Sequence, residues 1–262
     1  MTAQSRVSRQ SLLFEDDFDA ARLDTTAWLP HYLPAWSSLA QTAASYAIAD
    51  SCLHLTIPPD QALWLPEDHA PLRVSAVQSG NFSGPVGSRH GQQPYREGAV
   101  VREAQTEFWG RTPLFGHFEM RASAVISARS MVAWWLVGLE RKPQQSAEIC
   151  VAEIFGKAVE PGESAAIGAG LHPFRDRDMT EDFAAPRIAI DIEEFHVYAL
   201  DWDARQVTFS VDGVPLRRCA HPPGYPMQHM IAVFDFPDES NGHDDELTPD
   251  FAIDYVREYS PA

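Results

Sequence analysis

Basic residues are scarce in this chain. Lys and Arg number 20 against 37 Asp and Glu, for a formal net charge of −17. Phosphate recognition runs on basic patches, so no nucleic acid is expected as a partner. The same charge excludes docking on an acidic membrane surface and leaves a neutral substrate open. Cysteine is scarce too. Cys52, Cys150 and Cys219 are an odd count at wide spacing, which suggests neither a disulfide framework nor a zinc cluster. Long apolar runs are missing. The longest, Met131–Leu139, is far short of the ~20 residues a membrane helix needs. The first residues, MTAQSRVSRQSLLFEDDFD, hold only a short apolar run before acids begin, which is not the pattern of a secretory signal. A reducing cytoplasm is therefore the expected compartment.

Repeats, low-complexity tracts and long helical periodicity are also lacking. Short period-2 segments separated by turn residues take their place. Ala47–Ile57 sets Leu53, Leu55 and Ile57 on one side of a strand. Gly116–Val125 alternates Phe118, Met120 and Ala122 against His117, Glu119 and Arg121. Val207–Val211 alternates and then meets Asp212-Gly213, a strong hairpin turn. Further strands are expected at 98–103, 131–137, 147–155, 167–172, 196–201, 229–234 and 251–259. Many short strands with turns between them indicate an all-β sandwich or barrel. At 262 residues one domain can hold the whole chain, with 1–10 as an N-terminal tail. Two long irregular stretches, 58–95 and 173–191, read as cleft rims or lids.

The segment Glu148-Ile149-Cys150-Val151-Ala152-Glu153 is the most informative. In a regular strand Glu148 and Cys150 share a face and Glu153 points the other way. One extra residue, a β-bulge, would turn Glu153 back to the face of Glu148. Two carboxylates would then project into one cleft, as a retaining glycosidase requires. The plain alternative is a pair of solvent-facing glutamates on an edge strand.

The segment resembles the bulged Glu-x-Asp-x-x-Glu signature of glycoside hydrolase family 16. Other blocks follow in family order. Leu13-Phe14-Glu15-Asp16-Asp17-Phe18 resembles the family's opening. Phe115-Gly116-His117-Phe118-Glu119-Met120-Arg121 resembles Tyr-Gly-Arg-Phe-Glu-x-Arg. Met131–Gly138 resembles the Trp-Pro-Ala-Phe-Trp strand. Phe195–Trp202 with Val211-Asp212-Gly213, and Ile253–Tyr259, resemble its later hairpin and closing strand. The resemblance implies a β-sandwich jelly roll of two curved antiparallel sheets, concanavalin A-like, with an open cleft for a polysaccharide or oligosaccharide. It implies Glu148 as nucleophile, Glu153 as general acid/base and no cofactor for catalysis. A retaining endo-glycosidase cutting internal β-1,3 or mixed β-glucosidic bonds is expected, acting as a monomer. A transglycosylase on the same site, or a carbohydrate-binding protein with a weakened site, is the alternative. Family kinship also makes secretion the alternative to the cytoplasm.

Two departures stand out. The signature's central aspartate is Cys150 here, either a small filler of a buried slot or a member of the site. A neutral thiol there removes a third carboxylate, so Glu153 is expected to hold its proton less firmly and the pH optimum to fall on the acid side. Met131 replaces the first Trp of its block. For sugar contacts, aromatic rings and polar groups are needed. Trp135 shares the face of Met131 and Ala133, and Trp134 should point into the sandwich. Trp36, Trp109 and His172 are further candidates, each with core or rim packing as its ordinary alternative. Arg73 could reach hydroxyls, though an exposed salt bridge is its simpler role. The resemblance also implies a structural calcium on Asp254 with groups near Glu15, while Asp254 could equally cap or salt-bridge. The acidic stretch 237–246 fails the EF-hand spacing and reads as a solvated loop.

Overall fold

Period-2 alternation becomes two packed antiparallel sheets in the computed structural model, which describes residues 10–243 and 246–261. The expected N-terminal tail, apart from residue 10, lies outside the described residues, as do Asp244 and Asp245 of the acidic stretch. In chain order the strands are β1 (Leu12–Asp16), β2 (Ser45–Ala49), β3 (Cys52–Thr56), β4 (Arg73–Gln78), β5 (Gly116–Val125), β6 (Ser130–Gly138) and β7 (Glu148–Phe155). Then come β8 (Gly168–His172), β9 (Asp182–Ala184), β10 (His196–Trp202), β11 (Gln206–Val211), β12 (Val214–Ala220), β13 (Met227–Asp235) and β14 (Asp250–Tyr259). The outer sheet runs β12-β11-β10-β5-β14-β3-β2, with β1 also paired to β14. The cleft sheet runs β9-β8-β7-β6-β13-β4. Short two- and three-residue ribbons complete the loops. This is the jelly-roll sandwich the sequence implied. Among the described residues no helix is long and apolar enough to cross a membrane.

Side-chain alternation decides what each face does. On β6, Val132, Trp134 and Leu136 enter the core between the sheets, while Met131, Ala133, Trp135 and Val137 join a second apolar cluster on the cleft side. Strand β13 repeats the pattern, with Ile231 and Val233 inward and Met230, Ala232 and Phe234 on the cleft side. Burying each such Leu, Phe or Met stabilises the fold by roughly 1.5–3 kcal/mol before entropy is counted. A polar cluster ties the sheets together. Trp134 donates its indole N–H to His229 Nδ1 at 3.2 Å, and His229 Nε2 lies 3.2 Å from Glu258 of the opposite sheet. Arg111 closes the cluster with a 2.7 Å contact to Glu258.

Several strand expectations change in detail. Ala47–Ile57 is not one strand but a hairpin, β2–β3. Asp50 and Ser51 turn it with φ of 52° and 58°, the left-handed pair that a tight hairpin needs. Asp212 and Gly213 do the same between β11 and β12, at 49° and 74°. Residues 98–103 form no strand. Their backbone is held singly, as by Val101 N to Ser88 O and Arg102 N to Ala35 O, both at 2.8 Å. The long stretch 58–95 contains β4, an edge of the cleft sheet, and 173–191 contains β9. Polar and Pro-rich flanks hid both.

Candidate active site

Strand β7 carries the bulge. Its register with β6 pairs Val137 with Glu148, Trp135 with Cys150, Trp134 with Ala152 and Ala133 with Glu153. Val151 is the unpaired extra residue. The register with β8 shifts at the same place, between Gly168 and Gly170. Both Val151 and Ala152 therefore enter the core, and Glu148, Cys150 and Glu153 share the cleft face. Cys150 is small, and the neighbouring β8 residues Gly168 and Gly170 carry no side chain. A Cβ on Gly168 would stand 2.6 Å from the Phe183 ring and 3.2 Å from Glu153 Cβ. Glycine here leaves the space beside the second glutamate open.

Two cavities meet at Glu148. One, of about 290 Å³, is floored by Met131, Ala133, Trp135, Cys150 and Glu153 and walled by His172, Phe234 and Phe236. The other, of about 500 Å³, is walled by Trp64, Tyr95, Phe174 and the Glu140–Arg175 ion pair. Tyr32, His69, Leu72, Gln93 and Glu148 line both, so the two are lobes of one cleft. The stretches read as rims do contribute here, through Trp64, His69, Gln93 and Tyr95 from one and Phe174 and Arg175 from the other.

Burial dominates the electrostatics. Glu148 is 9% exposed, and loss of solvent pushes its carboxyl up to about 8. The side-chain amide of Gln93 opposes this by hydrogen bonding to Glu148, while the charges of Glu153 and Glu181 reinforce it. Glu153 is half-buried and also raised, by burial first, with His172 pulling the other way. With a neutral thiol at 150, Glu153 still stands above its ordinary value, with desolvation as the first cause; the expected weaker hold is relative to an aspartate at 150. Cys150 itself is held well above its ordinary value by burial, so it is a neutral thiol. It points its S–H at Gly168 O, 3.9 Å away, and fills the slot between the two glutamates.

The structure thus gathers Glu148, Cys150, Glu153, Trp135 and His172 in one place. His172 sits opposite Glu148 across β8–β7 and contacts Glu181 at 2.7 Å. Other candidates fall elsewhere. Trp36 is fully buried and presents no ring to a sugar. It donates to Gln92 O at 2.6 Å and packs under Gly91, seating the segment that carries Gln93. Trp109 lies on a two-residue ribbon, pairs with Gly80, is covered by the Arg141 guanidinium at 5.0 Å, and lines neither lobe. Arg73 is half-buried rather than exposed, held 3.1 Å from the buried Asp235, and lines neither lobe. The residues that sequence reading missed include Gln93, Tyr32, Trp64, Tyr95, Phe234 and Phe236. The two phenylalanines stack with ring centroids 6.4 Å apart, beside Met131. They supply the aromatic surface that Met131 lacks, and their only sequence signal is the apolar end of β13.

The calcium expectation does not fit these side chains. Asp254 is taken by Arg121 at 2.5 Å and Glu15 by Arg257 at 2.6 Å. Calcium takes six to eight oxygens, whereas each of these carboxylates faces a guanidinium. Among the described residues no group of three or more His, Cys, Asp or Glu could hold a metal.

With the bulged glutamate strand in place, comparison with known families settles the lineage. The model for "Glycosyl hydrolases family 16" matches residues 103–256. The chain belongs to glycosyl hydrolase family 16. Among solved structures, family-like sandwiches cover nearly the whole chain. The GlcNAcα1-4Gal-releasing endo-β-galactosidase of Clostridium perfringens superposes with a TM-score of 0.81 at 24% identity, over 97% of this chain and 63% of that one. A laminarinase from a Flavobacterium species gives 0.64 at 20%, over 95% and 100%. The catalytic domain of an endo-1,3-β-glucanase from Thermotoga petrophila gives 0.65 at 14%, over 96% and 98%. At these identities the likeness is one of fold. This chain therefore spans under two thirds of the clostridial enzyme and almost all of the two glucanases. No curated protein matches the sequence. As a family 16 member the chain is a glycoside hydrolase.

Proposed function

We propose that the chain is a retaining, endo-acting β-glycosidase that cuts internal bonds of a neutral polysaccharide by double displacement. The observation that carries this reading is the bulge at Val151, which sets Glu148 and Glu153 on one cleft face, lining one cavity. Glu148 is the deeper group and suits the nucleophile, attacking the anomeric carbon. Glu153 is more open to water and suits the acid/base. It protonates the leaving oxygen and then takes a proton from the water that resolves the covalent intermediate. The chemistry needs one proton on the pair, resting on Glu153. Burial favours protonation of both. The positive charge that grows on the sugar ring in the transition state is stabilised by the ionised Glu148 beside it. The cleft, with Trp135, Phe234 and Phe236 along one lobe and Tyr32, Trp64 and Tyr95 along the other, offers apolar faces to pyranose rings on both sides of the cut.

For the sugar, β-1,3 or mixed β-glucosidic linkage is the first reading. β-Galactosides stand beside it, because the clostridial endo-β-galactosidase superposes more closely than the laminarinases. The test is a panel of laminarin, mixed-linkage β-glucan and β-galactans, read by new reducing ends, product sizing and the anomer first formed. A β-anomer appearing first on any of them supports retention. An α-anomer first would make the enzyme inverting. Larger products than the starting oligosaccharide would point to transglycosylation. Binding without cleavage on every substrate would favour a carbohydrate-binding protein.

A further inference from the structure

We propose that Gln93 is the positioning residue of the nucleophile, its side-chain amide holding the Glu148 carboxylate in the attacking orientation and in its charged form. This rests on the assignment of Glu148 as nucleophile. The Gln93 amide donates to Glu148 Oε1, and among the described residues no other hydrogen bond to that carboxyl is formed. Its neighbour on the same face, Cys150, is turned to the Gly168 carbonyl instead. Gln93 also lines both lobes of the cleft, so a sugar chain spanning them borders it.

The segment is built to hold that amide still. Gln93 has φ of 44° and Glu140 has 55°, a left-handed backbone that costs a non-glycine residue and persists only where surroundings enforce it. Here they do. The Gln93 backbone N–H donates to Glu140 Oε1 at 2.6 Å, and Glu140 is fixed by Arg175. Gln92 donates to Gln228 Oε1 at 3.0 Å and accepts the Trp36 indole N–H. A loop that served only as a cover would not need three anchors from three separate segments.

The groups facing Glu148 make the role consequential. Glu153 and Cys150 come from its own strand, His172 from β8, Glu181 from the following connection, and Tyr32 and His69 from the opposite wall, with the Glu140–Arg175 pair beyond. Burial and the charges of Glu153 and Glu181 push the carboxyl toward its neutral form, and the Gln93 amide opposes them. The orientation of the amide matters. Turned end for end, its oxygen would accept from a protonated Glu148 and favour the opposite state.

The experiment labels glutamate carboxyls with carbon-13 and follows their titration by NMR. The Glu148 signal is identified by its absence in Glu148→Gln. Gln93→Met keeps the bulk over the carboxyl and removes the donor. The expected result is a Glu148 midpoint higher by about one unit or more. On a substrate from the panel, the acid limb of kcat/KM moves up with it, and kcat falls about tenfold at pH 6 while KM changes little. A midpoint that stays or falls in Gln93→Met overturns the proposal, a fall being the mark of the reversed amide. Gln93→Leu serves if the methionine variant does not fold. The titration needs no substrate, so a panel without hydrolysis would count against the glycosidase reading and leave this measurement decisive on its own.

Discussion

Glu148 is under two opposed demands. Folding buries it, and turnover needs it charged. Its carboxyl lies at about 8 in the folded chain against an ordinary 4.5. Below 4.5 both folded and unfolded forms hold the proton, and the group costs nothing. As pH rises from 4.5 through 8 the unfolded chain releases a proton that the folded chain keeps, and stability is lost. Glu148→Gln should therefore abolish turnover while leaving the fold intact. It should also raise the melting temperature at pH 8 more than at pH 5, by an amount equivalent to a few kcal/mol at most. Melting curves at the two pH values check this, and an equal shift at both would refute the buried-charge account. Cys150→Asp tests the slot between the glutamates. The new carboxyl would meet only a carbonyl acceptor, Gly168 O, and two other acids. It should stay protonated, donate to that carbonyl and destabilise the fold at alkaline pH by about 1–3 kcal/mol. The loss should shrink as pH falls toward 5. If the variant keeps full stability at pH 8, the pocket is wetter than its burial indicates.

Strand β7 works as an element because of one surplus residue. Val151 opposes nothing on β6, and with Ala152 it faces the core. Deleting Val151 alone restores a regular ladder, with Ala152 still opposite Trp134 and Glu153 still opposite Ala133. Both glutamates stay in the cleft. The expected outcome is a folded protein with measurable hydrolysis on its substrate, weakened by about 1–3 kcal/mol for the lost valine. Deleting Val151 and Ala152 together shifts the face by one residue, drives Glu153 into the core beside Trp134 and turns Ile154 out to the cleft. That protein should fail to fold or lose all activity. Circular dichroism melts and reducing-end assays on both deletions distinguish the outcomes. If the single deletion behaves like the double one, the bulge shapes the site beyond setting faces.

For the whole molecule, pH dependence follows from three buried groups. Burial would lower His117, but Asp201 and Glu119, each 3.0 Å away, outweigh it and raise it to about 9. Its stabilisation is complete below 6.5 and is lost as pH rises through 9. Asp201 is half exposed, so solvent screening reduces the effect. Glu148 loses stability over an overlapping range. Burial would raise Glu258, but His229 and Arg111 hold it at about 2. Its stabilisation is present above 4.5 and is lost as pH falls through 2. The melting temperature should therefore peak near 4.5, where Glu258 is still ionised and Glu148 still protonated, and decline toward pH 9. A maximum at pH 8 or above would contradict these assignments.

Much of the fold was legible because its determinants are local. Alternation at Phe118, Met120 and Ala122 or at Val132, Trp134 and Leu136 reads directly as strand faces, and Asp212-Gly213 reads as a hairpin turn. The glutamate pair was legible through its resemblance to the family signature, since the spacing alone allows two solvent-facing glutamates. The acidic balance pointed away from phosphate partners without any structure. Tertiary structure decided what depends on which segments meet. Trp36 and Trp135 look alike in sequence, yet one lies under a loop and the other floors the cleft, since burial is set by what packs above a residue. Asp254, with groups near Glu15, was open to either calcium or a salt bridge, and partners on neighbouring strands, Arg121 and Arg257, pair with the two carboxylates. Gln93 carried no signal, because its function arises only when a loop 55 residues upstream is anchored over Glu148.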